Sequence, residues 1–142
     1  MKHIIFDLDG TLADCTHRVH LLPDWDAFYD ACYEDAPIEP IVALYKELFD
    51  SFLYDVHIWS GRRQSEEDKT WMWFDKYHIP IPDDDYWKMR NVGDHRPDTE
   101  LKALWLDTAP FTPSLVFEDR TSVVQMYRDR GIQVCQVAPG DF

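Results

Sequence analysis

Short apolar runs that stop at polar or small residues alternate along this chain with stretches whose apolar residues recur at helical spacing. Ile4, Ile5 and Phe6 read as a buried strand that ends at Asp7. Behind Pro37 and Pro40, the residues Ile41, Leu44, Tyr45, Leu48, Phe49 and Phe52 share one helical face. A strand over 56–59, ending at Ser60-Gly61, completes a βαβ unit. Ser65 followed by Asp68 has the pattern of an N-cap with an acidic partner, opening a helix striped by Trp71, Phe74, Tyr77 and His78 that stops before Pro80. The pattern then predicts a helix over 98–107, a strand over 115–117, a helix over 121–130 closed by Gly131, and a strand over 132–137 ahead of Pro139-Gly140.

Such alternation predicts an α/β fold, a Rossmann-like parallel sheet flanked by helices, in which ligands gather beyond the carboxyl ends of the strands. The residues at those ends are Asp7 to Thr11, Ser60 to Arg63, and Glu118-Asp119-Arg120. Asp7 and Asp9, one residue apart, can divide phosphoryl transfer between a nucleophile and a general acid/base, although Asp, Gly and Thr are also ordinary turn residues. Mg²⁺ prefers a few carboxylate oxygens, water and a substrate phosphate; Asp7, the Asp9 carbonyl and Asp119 fit that demand, with Glu118 holding a metal-bound water. Thr11 and Ser60 offer hydroxyls, Gly61 a free N–H and Arg62 a guanidinium fork to phosphoryl oxygens. Lys102 lies four residues after Asp98 on one helical face, so Asp98 can orient its ammonium toward the phosphate. Arg18 is the first choice to clamp a second phosphate, ahead of Arg63, Arg90 and Arg96, which read equally well as exposed cations. The histidines show no zinc spacing, and the aromatic excess reads mostly as core.

Composition narrows the setting. With 142 residues, 45% of them hydrophobic, and no repeat or linker, the chain is expected to form one domain over 1–142 around one core. No run approaches the roughly 20 apolar residues that cross a bilayer. The first strand follows directly on Lys2-His3, so no signal peptide and no membrane association are expected and the reading is cytoplasmic. Cys15, Cys32 and Cys135 form no C-x-x-C pair and read as reduced thiols. A net charge of −13 repels nucleic acid at long range and draws divalent cations to carboxylate clusters. A protein handling one phosphate end needs only a few well-placed Arg and Lys, so both polymeric and small substrates stay open.

Order and spacing of these motifs resemble the haloacid dehalogenase superfamily, with Asp7-x-Asp9-Gly10-Thr11, Ser60, Lys102 and Glu118-Asp119 as its four motifs. More narrowly, nearly the whole chain is similar to the 3′-phosphatase domain of the bacteriophage T4-type polynucleotide kinase-phosphatases. Ser60-Gly61-Arg62, Gly93-Asp94-x-Arg96, Asp98-x-x-x-Lys102, Asp119-Arg120-Thr121-x-Val123-Val124-x-Met126 and Gln136-Val137-Ala138-x-Gly140-Asp141-Phe142 carry that likeness. The resemblance implies Asp7 as nucleophile, Asp9 as acid and base, Arg18, Ser60, Arg62 and Lys102 as phosphate ligands, Asp98 as orienter of Lys102, and Asp119 as metal ligand. Mg²⁺ is the implied cofactor. Glu118 stands where the family often has Asp, and no phosphate-loop motif G-x-x-x-x-G-K-[ST] is present. The segments between motifs leave no room for a large cap domain, which suits a bulky substrate.

The leading expectation is therefore a Mg²⁺-dependent 3′-phosphatase acting on nucleic-acid ends or nucleoside 3′-phosphates, in host cytoplasm if phage-encoded. The alternative is a small-nucleotide phosphatase such as a 5′-(deoxy)nucleotidase, which an acidic chain fits well. A domain that merely binds nucleotides is the third reading, although every charged motif position is filled. A homo-oligomer is compatible with all three.

Overall fold

The computed structural model describes residues 2–142. In chain order it runs through β1 (Lys2–Phe6), β2 (Ala13–Asp14), a 3₁₀ turn (Thr16–Leu21), α1 (Trp25–Asp30), a second 3₁₀ turn (Ala31–Glu34), β3 (Ala36–Pro37) and α2 (Glu39–Asp50). Then follow β4 (Tyr54–Arg63), α3 (Glu67–Lys76), β5 (Trp87–Arg90), α4 (Asp98–Thr108), β6 (Leu115–Glu118), α5 (Thr121–Asp129) and β7 (Val134–Gln136). Five strands make one sheet in the order β5-β4-β1-β6-β7, and every pairing in it is parallel. This is the α/β architecture expected from the alternation of runs.

Because side chains alternate across a strand, β1 feeds both layers of the core. Ile4 and Phe6 pack with Val56, Ile58, Tyr45, Trp73 and Phe74 beneath α2 and α3, while Ile5 packs with Trp59, Val116, Val123 and Tyr127 beneath α5. Phe6 meets Tyr45 edge-on and stacks on Phe117 at 4.5 Å. Each such fully buried side chain contributes about 1.5–3 kcal/mol. The sheet that carries the loops is thereby packed on both faces.

Several boundaries differ from the sequence expectation. The second strand runs from Tyr54 to Arg63 rather than over 56–59, so Ser60, Gly61 and Arg62 lie inside it, beside a register irregularity between Ser60 and Arg63. Phe52 is not on the helical stripe: α2 ends at Asp50, and Phe52 is 82% exposed with φ 57°. Ser65 does not cap a helix, because the chain passes through a 3₁₀ turn (Gln64–Glu66) before α3, whose N-terminus carries no side-chain cap. His78 lies beyond α3 at φ 54°. The last strand starts at Val134, not 132. β5 was not expected at all. The segment 13–37 holds α1, two 3₁₀ turns and the antiparallel β2–β3 ribbon, a small cover over the end of β1 rather than a cap domain.

Candidate active site

The turn after β1 is fixed by its backbone. Asp7 N–H donates to the Phe117 carbonyl of β6 at 3.0 Å, and the Leu8 carbonyl accepts from the N–H groups of Thr11, Leu12 and Ala13. That reversal needs a left-handed residue, and Gly10 supplies it at φ 82°. A Cβ at Gly10 would also collide with the Asp119 carboxylate, so the glycine lets β1 and β6 bring their aspartates together. The Thr11 hydroxyl is buried there with no partner.

Asp7, Glu118 and Asp119 are all buried and present carboxylate oxygens within 4.8 Å of one another. Lys102 Nζ, on α4, donates to Asp7 Oδ1 at 2.7 Å and to Glu118 Oε2 at 2.9 Å. Glu118 Oε1 accepts from the backbone N–H groups of Asp119 and Arg120. Burial and the nearby Glu118 push Asp7 well above the usual carboxylate range, against the pull of Lys102. Burial first and Asp7 second push Asp119 up to about 7, and burial raises Glu118. Burial opposes the charge on Lys102, but Asp7 and Glu118 overcome it and hold the ammonium well above its ordinary value. Three carboxylates facing one ammonium leave an excess of negative charge that a small divalent cation with oxygen ligands would balance, so these residues fit Mg²⁺.

Asp9 points away from that cluster into a second one. Its Oδ1 accepts from Arg18 Nη2 at 2.7 Å and from Arg62 Nη2 and Nε at 2.6 and 3.0 Å. Burial favours its neutral form, yet Arg62 and Arg18 prevail and hold Asp9 below the usual range. Asp35 closes the cluster from below: Oδ1 accepts from Arg18 Nε at 2.8 Å, and Oδ2 from Arg18 Nη2 at 2.7 Å and Arg62 Nη2 at 3.0 Å. Arg18 also donates to the Phe28 carbonyl, and Arg62 to the Thr70 hydroxyl. Both guanidiniums are fully buried. Arg18 is therefore no free clamp at the rim; it stands beneath Asp9. Sequence reading missed Asp35, which follows no apolar period and belongs to no motif.

The end of β4 forms the third wall. Ser60 is buried, and its Oγ accepts from Arg62 N–H at 3.1 Å, which leaves its own proton free to donate. Gly61 is tight against Asp98, where a Cβ would meet Oδ1 at 2.5 Å. Asp98 does not hold Lys102. It accepts instead from Arg90 Nη2 at 2.5 Å and Arg120 Nη1 at 3.5 Å, because the Lys102 side chain turns inward to Asp7 and Glu118. Arg90 is buried rather than exposed, and ties β5 to β4 through the Gly61 carbonyl at 2.9 Å and to the following loop through the Arg96 carbonyl at 2.5 Å. Arg63 pairs with Asp26 and Arg96 with Asp94 at the mouth.

The family model described as the polynucleotide kinase PNKP phosphatase domain matches residues 1–142. A chain of a solved Pnkp1/Rnl/Hen1 complex is 27% identical with a TM-score of 0.83, over 99% of this chain and 47% of that one; a chain of the Pnkp1/Rnl/Hen1 RNA repair complex matches equally well over 43% of its length. The present chain thus spans less than half of these relatives. The class C acid phosphatase from Bacillus anthracis shares the fold at a TM-score of 0.70 and 17% identity, over 99% of this chain and 67% of that one. A haloacid dehalogenase-like hydrolase from Streptococcus pneumoniae does so at 0.63 and 20%, over 94% and 83%. With motif order, parallel sheet and full-length match in agreement, the chain belongs to the polynucleotide kinase-phosphatase phosphatase-domain family, within the haloacid dehalogenase phosphatases.

Proposed function

We propose that this chain is a Mg²⁺-dependent phosphomonoesterase that removes 3′-phosphates from nucleic-acid ends or nucleotides through an aspartyl-phosphate intermediate. The observation that carries this reading is the opposite environment of two neighbouring carboxylates: Asp7 bonded to Lys102 in the acidic cluster, Asp9 gripped by Arg62 and Arg18. Environments that set two titratable groups apart also set their roles apart. The 3′ preference and the nucleic-acid substrate are inferred from the family and from the RNA repair complex that holds a relative.

Asp7 and Asp119, with the Asp9 carbonyl and with Glu118 through a water, would hold Mg²⁺, which when bound supplies positive charge to the phosphoryl oxygens. An Asp7 oxygen attacks phosphorus in line, the bond from phosphorus to the leaving sugar oxygen breaks, and Asp9 delivers its proton to that oxygen. Asp9 then takes a proton from water as the water attacks the aspartyl-phosphate, releasing phosphate and restoring Asp7. Lys102, the Ser60 hydroxyl and the Gly61 N–H donate to the phosphoryl oxygens throughout. All three arginine bonds to Asp9 fall on Oδ1, so Oδ2 stays outside that grip for proton transfer. Arg62 is fully buried on Asp9, Asp35 and Thr70, so it acts through Asp9 rather than on the phosphate. The negative charge of a phosphoryl group arriving beside Asp9 raises that carboxyl's proton affinity when a proton is required.

Phosphate release from a 3′-phosphorylated oligonucleotide, 3′-dTMP and 5′-dTMP, with and without Mg²⁺ and with Asp7→Asn as the blank, tests the reading. Mg²⁺-dependent preference for the 3′-phosphates, lost in Asp7→Asn, is expected. Rapid turnover of 5′-dTMP with an inert oligonucleotide would make the protein a 5′-nucleotidase built on the same residues.

A further inference from the structure

We propose that the exposed face of Trp25, backed by Tyr29, is the platform on which the nucleobase attached to the reacting phosphate stacks. This rests on the nucleotide-phosphatase reading above and adds a subsite to it. Trp25 opens α1 with 51% of its surface in water. A single exposed aromatic residue is ordinary, but this one packs against Phe28 and Tyr29, and Tyr29 reaches the phosphate end of β4. Phe28 meets its ring edge-on at 5.6 Å and 82°, and Tyr29 lies beside it at 5.8 Å and 30°. Phe28 is buried over the Arg18 guanidinium at 4.3 Å, which fixes α1 to the Asp9 cluster.

Tyr29 completes the path to the chemistry. Its hydroxyl donates to the Gly61 carbonyl at 3.4 Å, between the Ser60 and Arg62 that flank the phosphoryl position. Arg63 lies 4.9 Å from the Tyr29 ring centroid and is tethered to Asp26, so a cation borders the ledge. An aromatic ledge that begins at the phosphate-binding strand and ends in water matches a nucleoside whose phosphate is held at Ser60 and Gly61. Stacking accepts any base, because every base has a π face. Packing on Phe28 and Tyr29 uses only part of Trp25, and about half of its surface stays available to a base.

The test compares Trp25→Ala, Trp25→Phe and the wild type on two oligonucleotides with the same 3′-phosphate, one ending in an ordinary nucleotide and one in an abasic tetrahydrofuran residue. For the base-bearing end, Trp25→Ala is expected to raise KM on the order of ten-fold with kcat nearly unchanged, and Trp25→Phe to restore most of the affinity. For the abasic end, the wild type and both variants should agree, which also reports that Trp25→Ala folds. Equal effects on both ends, or no effect on either, overturn the platform while leaving the phosphatase reading standing. If the wild type hydrolyses β-glycerol phosphate but neither oligonucleotide nor 3′-dTMP, the nucleotide reading fails and the platform falls with it.

Discussion

Asp35 shares two guanidiniums with Asp9, and the four side chains form a largely buried ring under the turn that follows β1, with His17 Nε2 also 2.6 Å from Asp35 Oδ1. Removing one carboxylate strands two arginines around the other, and an uncompensated charge in such a place costs about 3–5 kcal/mol. Asp35→Ala should lower the urea midpoint by that equivalent and slow turnover, since Arg18 and Arg62 no longer hold Asp9 in place. An unchanged midpoint would show that the ring carries no net stability. The residues legible in the sequence are those at strand ends, where apolar runs stop abruptly: Asp7, Glu118 and Asp119 cluster there with Lys102 of α4 bonded to two of them, while Asp9 turns its side chain to Arg18 and Arg62 and Ser60 is buried inside β4. Asp35 was illegible because its role comes from the cover folding back on β1, and no local period records that. The Asp98 pairing was misread for a related reason. Helical spacing places Asp98 and Lys102 on one face, but it says nothing about the stronger demand of two buried carboxylates for the lysine.

At the scale of elements, the long apolar strands and helices were legible, and the short ones were not. β5 contains only Trp87 and Met89 as apolar residues, alternating with Lys88 and Arg90, and its four residues are too few for a period to emerge. The run over 56–59 stops short of the end of β4 because Ser60-Gly61 has turn composition; beyond Ile58 the strand continues through its pairing with β5, after its ladder with β1 has ended. The same strand carries a buried His57, opposite Ile5, with His3 Nδ1 at 3.0 Å from its Nε2 and with Phe111 and Tyr86 around its ring. Its Nδ1 is buried without a partner. Burial and then His3 push its pKa down to about 4, with Lys88 acting in the same direction and Asp55 against it. Above about pH 6.5 the ring is neutral in both the folded and the unfolded chain. As pH falls from there toward 4, only the unfolded chain takes up the proton, so the fold loses about 2–3 kcal/mol across that window. Urea unfolding at pH 7.5 and 4.5 should show this loss in the wild type, and His57→Gln, which carries no titrating group there, should show a correspondingly smaller one. Equal pH dependence in both proteins would mean that His57 is charged in the fold.

At the scale of the molecule, the net charge of −13 conceals a segregation. Arg18, Arg62, Arg63, Arg90, Arg96 and Arg120 all stand at or just beyond the carboxyl ends of the strands, and only Arg128 and Arg130 lie elsewhere. Three of these are committed inside the site, to Asp9, Asp35 and Asp98. Arg63, Arg96 and Arg120 remain partly exposed at its mouth, Arg63 paired with Asp26 and Glu66, Arg96 with Asp94 and Arg120 with Asp98, in contacts that an incoming phosphate can replace. Under the proposed function, three arginines at the mouth of an otherwise anionic surface would favour the end of a strand over a long duplex, whose many phosphates would meet the acidic flanks. Each contact between such a cation and a single-stranded phosphate adds about −0.7 to the slope of log affinity against log salt. With three cations available, the apparent affinity for a 3′-phosphorylated oligonucleotide should fall with a slope no steeper than about −2 beyond that of 3′-dTMP, which brings only the reacting phosphate. Steady-state kinetics from 50 to 300 mM salt measure both slopes, and Arg63→Gln and Arg96→Gln should each bring the oligonucleotide closer to the mononucleotide. If the two substrates share one slope, the rim touches no backbone phosphate, and the acidic surface has restricted the enzyme to mononucleotides.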